Sequence, residues 1–203
     1  RADLKKAIET NYENHVPMQC PFITHWLNQM QDDKVMNYIA SAGFQNSKDD
    51  KLKIIFVPCY LNGEDGILNK VYYDILIGMD ATVYPSYYEP WGYTPLESIA
   101  FGIPTVTTNL AGFGLWAKKA GVSGQDLSEG VAVIERTDFN YFEVADAIKE
   151  QLLSLSEKTE KERLQIKKNC FALSNKAEWD KFIIYYFKAF DIALRHAAER
   201  NLK

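Results

Sequence analysis

The sequence predicts an α/β fold on a Rossmann-like, doubly wound parallel sheet, and three observations carry that prediction. Short β-branched or apolar runs alternate with stretches of helical length. The runs are continuously apolar rather than alternating, the pattern of strands covered on both faces. Each helical stretch between them stops near a glycine. Such a β-α-β-α order is the signature of a doubly wound sheet.

The elements follow in chain order. Residues 1–45 read as a helical entry segment, with helices over Pro21–Met30 and Asp33–Ala42 and Gly43 as a C-cap. Residues 46–139 form the α/β core. Its strands are Lys53–Val57, ended by Pro58; Ala81–Tyr84, ended by Pro85; Thr105–Thr108, after Pro104; and Val131–Ile134, after Gly130. Helices are expected over Lys70–Gly78 and Thr94–Gly102, and loops over Asn46–Asp50 and Asn62–Gly66. Residues 140–203 are almost free of Gly and Pro and read as three C-terminal helices, the last over Glu178–Glu199. Its aromatics Trp179, Phe182, Tyr186 and Phe190 recur at helical spacing, so that face is expected to pack on something, as core rather than as a cofactor box. One domain is the expectation for the whole.

Composition narrows the function. A net charge of −4 over 203 residues argues against a nucleic-acid partner, which calls for a basic face. No apolar run approaches the roughly 20 residues that span a bilayer, so no membrane role is expected. The chain opens at Arg1 with no initiator Met and no signal-like apolar region, which suggests a cut end inside a longer polypeptide. Cys20, Cys59 and Cys170 are odd in number and widely spaced, and are expected to be small apolar residues in a reducing cytoplasm.

Chemistry is expected beyond the carboxyl ends of the strands, where open parallel sheets bind ligands. The loop leaving Ala81–Tyr84 reads Pro85-Ser86-Tyr87-Tyr88-Glu89-Pro90-Trp91-Gly92-Tyr93, dense in aromatics and stiffened by two prolines. Glu89 has no local structural task in such a loop, which favours a ligand role. Next, Thr94-Pro95-Leu96-Glu97 reads as a helix start with Thr94 at the N-cap, Pro95 at N1 and Glu97 closing a capping box. Glu97 thus serves either the cap or a ligand. A helix start presents free N–H groups that can hold a phosphate. No D-x-D motif occurs, so no metal or other cofactor is expected on a diphosphate.

The run Tyr87-Tyr88-Glu89-Pro90-Trp91-Gly92-Tyr93-Thr94-Pro95-Leu96-Glu97, followed by Thr107-Thr108-Asn109-Leu110-Ala111-Gly112-Phe113-Gly114, closely resembles glycosyltransferase family 3, the glycogen synthases of animals and fungi. Glu89 and Glu97 match the E-x7-E pattern of retaining GT-B enzymes. The resemblance implies the C-terminal, nucleotide-sugar-binding half of a GT-B glycosyltransferase with extra C-terminal helices. It implies transfer of glucose from UDP-glucose to the non-reducing 4-OH of an α-1,4-glucan with retention. It also implies an acceptor-binding N-terminal domain upstream of Arg1, along with the arginine and lysine that clamp the diphosphate, a cytoplasmic location and a homo-oligomer.

Site roles follow from the same resemblance. Glu89 would lie against the donor glucose, and Glu97 would hold the ribose hydroxyls. Gly92, Tyr93 and Thr94 would offer N–H groups, and Thr94 its hydroxyl, to the sugar and diphosphate. Tyr72 would stack on uracil, Tyr60 would border the base pocket and Trp91 would form a wall. Read without the resemblance, Tyr72 and Tyr60 are ordinary packing residues.

One stretch departs from the family, which carries an arginine-dense helix that binds glucose 6-phosphate. Here Ser156–Lys168 holds one arginine, four lysines and three glutamates, so a solvated mixed-charge helix is expected instead. The competing functions are another retaining E-x7-E glycosyltransferase and a non-catalytic nucleotide-sugar-binding module.

Overall fold

The structure is a computed structural model that describes residues 22–47 and 49–201; Cys20 and Pro21 lie outside the described residues. The chain divides into two compact units, one ending at Ile75 and one beginning at Leu76.

In the first unit, helix α1 spans Lys34–Ser41. The Asp33 carboxylate caps it by accepting from Met36 N at 2.9 Å, and Gly43 follows the last turn at φ +76°, a left-handed conformation that favours glycine. The helix expected over Pro21–Met30 does not form across its described part, where only the 3-10 turn Met30–Asp32 begins. Instead Ile23 makes a parallel bridge to Phe56, with Phe56 N donating to Phe22 O and Thr24 N to Phe56 O.

That bridge is also all that appears of the strand expected over Lys53–Val57. The reason is visible at Ile54, whose N–H donates to Asn46 Oδ1 at 2.9 Å and whose carbonyl accepts from Asn46 Nδ2 at 2.6 Å. A buried side-chain amide thus occupies both groups that a ladder partner would have used. Farther on, Asn62 bridges Val71 antiparallel and Tyr72 N donates to Leu61 O, leading into the short helix α2, Tyr72–Leu76.

The second unit is built on three parallel strands in the order β1 (Thr82–Val83), β2 (Thr105–Thr108), β3 (Val131–Ile134). Val83 pairs with Val106, and Val106 in turn with Ala132. All four residues of β2 are buried. Because successive side chains point to opposite faces, both faces of the sheet are covered at its centre, as the continuous apolar runs required. Helices α3 (Tyr93–Ala100) and α4 (Gly112–Lys119) follow β1 and β2, and α5 (Tyr141–Ser156), α6 (Glu160–Ser174) and α7 (Trp179–Asn201) follow β3. The core runs through Ile99, Val106, Phe113, Val131, Ile166 and Cys170.

The α7 stripe departs from expectation. Phe182 alone of its four aromatics is half-buried, its ring 5.5 Å from Trp91 and 5.9 Å from Trp116. Trp179, Tyr186 and Phe190 remain exposed and pack mainly on one another along the helix. Among the described residues no helix is long and apolar enough to cross a membrane.

Candidate functional site

The loops leaving β1 and β2 and the start of α3 enclose a cleft of about 320 Å³, with Pro85, Ser86, Glu89, Thr94, Thr107 and Ala111 in its walls. It stands beyond the carboxyl ends of the strands, the position at which open α/β sheets bind ligands. Glu89 and Thr94 therefore share one cavity.

Glu89 is held by its main chain. Its N–H donates to Leu110 O at 3.3 Å and its carbonyl accepts from Gly112 N at 3.0 Å, a parallel bridge between Glu89 and Ala111. Phe113 N extends the contact by donating to Trp91 O at 2.6 Å. Such close approach depends on Gly112, where a Cβ would stand 2.2 Å from Pro90 O. Gly112 is thus a packing requirement that fixes the loop bearing the carboxylate, whereas Gly114, where a Cβ would stand 2.4 Å from Thr108 O, packs against the end of β2.

The start of α3 differs from the sequence expectation. Its N-cap is Gly92 rather than Thr94, and no side-chain cap bond forms there, so the expected capping box is absent. Gly92 adopts φ +106°, and a Cβ on it would meet Pro95 Cγ at 3.2 Å and Glu89 Cγ at 3.4 Å. The left-handed turn lets the chain double back over Glu89 and begin the helix two residues early, at Tyr93 rather than Pro95. Pro95 then falls at N3, where it lacks an N–H. The N–H groups of Gly92, Tyr93 and Thr94 are those that a helix start leaves without intrahelical partners. With the positive end of the helix dipole, they are groups of the kind that can hold an anion, and they lie beside Glu89.

The remaining predicted residues occupy other places. Glu97 lies a turn into α3 and is half-buried. Trp91 belongs to an aromatic cluster with Phe113, Trp116 and Phe182. Together with Tyr93 it lines a separate apolar groove against α7. In the first unit, Tyr60 is 95% exposed and Tyr72 half-buried, its ring 5.4 Å from Tyr73. The bond from Tyr72 N to Leu61 O brings the segments of Tyr60 and Tyr72 together. Among the described residues no group of three or more His, Cys, Asp and Glu is placed to hold a metal ion.

Sequence reasoning missed Arg136. It stands two residues beyond β3, is only 7% exposed, and sends its guanidinium across the sheet end to Pro85 O at 2.5 Å. Its position just past the carboxyl end of an apolar run was the signal that could have found it.

Comparison with known proteins gives a consistent result. The family described as Glycogen synthase matches residues 1–203. Glycogen [starch] synthase isoform 2 of Saccharomyces cerevisiae is 34% identical over 179 residues, 86% of this chain and 25% of the yeast protein. The Neurospora crassa glycogen [starch] synthase is 30% identical over 87% of this chain and 25% of its own length. The liver glycogen [starch] synthase of Rattus norvegicus is 28% identical over 96% of the chain and 27% of its own. The chain thus spans about a quarter of the length of the curated relatives it matches.

Proposed function

The chain belongs to the glycogen synthase family, and on that premise we propose that the intact protein carrying it transfers glucose from UDP-glucose to the non-reducing 4-OH of an α-1,4-glucan, with retention. The observation that carries the reading is the single cleft shared by Glu89, Thr94 and the start of α3. A GT-B arrangement, with this chain as the C-terminal half, follows from the same reading.

In the reaction the bond from the donor C1 to the phosphate oxygen breaks, and its electron pair leaves with UDP. The acceptor 4-oxygen then bonds to C1 and passes its proton to the departing diphosphate oxygen. Positive charge grows on the sugar and negative charge on the diphosphate. Glu89 is the group suited to the first and the N–H groups of Gly92, Tyr93 and Thr94 to the second. Groups already oriented in the ground state stabilise the transition state without reorganising. Glu97 holds the ribose, Tyr72 and Tyr60 form the base pocket and Trp91 backs the loop. On this reading the 203-residue chain alone binds UDP weakly and does not turn over, because the arginine and lysine that clamp the diphosphate and the acceptor-binding N-terminal domain belong to the rest of the intact protein.

A donor-competition assay on the intact protein tests the proposal. Glucan extension from UDP-glucose, outcompeted poorly by ADP-glucose and giving only α-1,4 linkages by NMR, is the expected result. Extension with another sugar donor alone, or donor binding without turnover, would move the protein to one of the competing functions.

A further inference from the structure

Resting on the assignment of Glu89 above, we infer that Arg136 is a positioning residue for Glu89, acting through the Pro85–Tyr88 half of its loop. Glu89 and the residues after it are fixed by the bridge to Ala111, as described. The residues before it have a different set of ties. Thr108 Oγ1 donates to Ser86 O at 2.7 Å, Arg136 Nη1 donates to Pro85 O, and the Arg136 guanidinium lies 3.5 Å from the centre of the Tyr87 ring. Arg136 is in turn located by its backbone, whose N–H donates to Asn109 Oδ1 at 2.7 Å, while Asn109 N donates to Ile134 O. The loops beyond all three strands are therefore locked to one another through this residue.

The chemistry of the contact sets it apart from ordinary packing. Arg136 is buried, yet none of the ion pairs among the described residues includes it, and its Nε has no hydrogen-bond partner. A guanidinium taken from water without a carboxylate is a poor way to stabilise a fold. What it supplies is orientation: a planar fork that grips a carbonyl and a flat cation on which an aromatic ring lies. Tyr87 is about half exposed, so without Arg136 little else confines its ring. Only Tyr88 separates Tyr87 from Glu89, so a rotation at Tyr87 strains the chain where it enters the Glu89–Ala111 bridge and bears on the carboxylate through that junction.

A double-mutant cycle on the intact protein decides the matter. Arg136→Met, Arg136→Lys and Tyr87→Leu are each made with Glu89 present and in a Glu89→Gln background. Donor KM is measured, UDP affinity is taken by calorimetry, and residual rates are followed in single turnover with radiolabelled donor. With Glu89 present, each substitution is expected to lower kcat about tenfold or more while UDP affinity stays within about twofold, since the loss is one of geometry. In the Glu89→Gln background the same substitutions should change the residual rate less than about twofold, because residues acting through one group are not additive. Equal fold-losses in both backgrounds, or a parallel loss of UDP affinity, would overturn the inference and leave the assignment of Glu89 standing. An unchanged kcat in Glu89→Gln alone would overturn both. Should Arg136→Met fail to fold, Tyr87→Leu at the surface completes the same cycle.

Discussion

Gly112 N donates to the Glu89 carbonyl at 3.0 Å across a gap too narrow for any side chain at position 112, where a Cβ would meet Pro90 O at 2.2 Å. The candidate catalytic carboxylate is therefore located by the main chain at the start of α4. Gly112→Ala should push the two segments apart. Backbone cannot yield as a flexible side chain does, so a displacement near 1 Å and a kcat loss of about a hundredfold are expected. Stability should fall by roughly 1–3 kcal/mol as an overpacked site relaxes. Steady-state kinetics with a urea titration check both, and unaltered kcat would show that the bridge does not set the loop.

The two carboxylates should separate by role in the intact protein. On the proposed mechanism Glu89→Gln removes charge where positive charge develops, and it should eliminate most of kcat with a modest change in KM. Glu97→Gln should chiefly weaken nucleotide binding. With Gly92 at the N-cap, no stability loss is to be charged to a capping box at this helix. Kinetics and UDP calorimetry on both variants decide it; the reverse pattern would show that the roles are exchanged.

The proposed function assigns the ring of Tyr72 to the base. Tyr72→Ala should lose about 1–3 kcal/mol of UDP affinity, by analogy with base stacking on aromatic side chains elsewhere. Tyr72→Phe keeps the ring and should lose little. Calorimetry that finds equal UDP affinity in wild type and Tyr72→Ala would return the residue to plain packing.

Arg163, the single arginine of Ser156–Lys168, has its guanidinium already engaged. Nη1 pairs with Asp80 at 3.1 Å, Nε donates to Lys158 O at 3.2 Å and Nη2 to Ser156 O at 3.4 Å. Thr159 and Glu162 meanwhile form a reciprocal capping box at the start of α6. The region is thus organised as a helix start with mixed charge. The intact protein should be indifferent to glucose 6-phosphate, measured as rate at limiting donor with and without millimolar effector. A several-fold activation that Arg163→Ala abolishes would refute this.

Burial pushes the Cys170 thiol up to about 12. The folded state therefore holds this proton to higher pH than the unfolded chain, whose thiol titrates near about 8.5. The resulting stability is fully present below that pH and is lost as pH climbs toward the folded value. Between pH 7 and 10 wild type should lose on the order of 1–2 kcal/mol more than Cys170→Ala, other alkaline titrations being common to both. Urea midpoints at the two pH values measure it, and parallel losses would contradict the assignment.

The sequence by itself determined the elements whose cause is local. Strands β2 and β3 fall on Thr105–Thr108 and Val131–Ile134 because Pro104 and Gly130 punctuate continuous apolar runs. Helix α1 is bounded by Asp33 and Gly43, and the three C-terminal helices by periodicity without breakers. The loop motif around Glu89 was legible as a motif, since its residue order needs no fold to be read.

What only the tertiary structure decided depends on residues far apart in the chain. Thr94 looked like an N-cap, but the φ +106° turn that seats Gly92 between Glu89 and Phe113 starts the helix earlier. Lys53–Val57 looked like a strand, but the Asn46 amide takes both hydrogen-bonding groups of Ile54. Arg136 carried no motif and acquires its place only when β3 lies two strands from the loop at Pro85, 51 positions away in sequence. Propensity, punctuation and period act over a few residues. Close approach, competition for hydrogen bonds and the burial of a charge are settled only when the chain brings distant groups together.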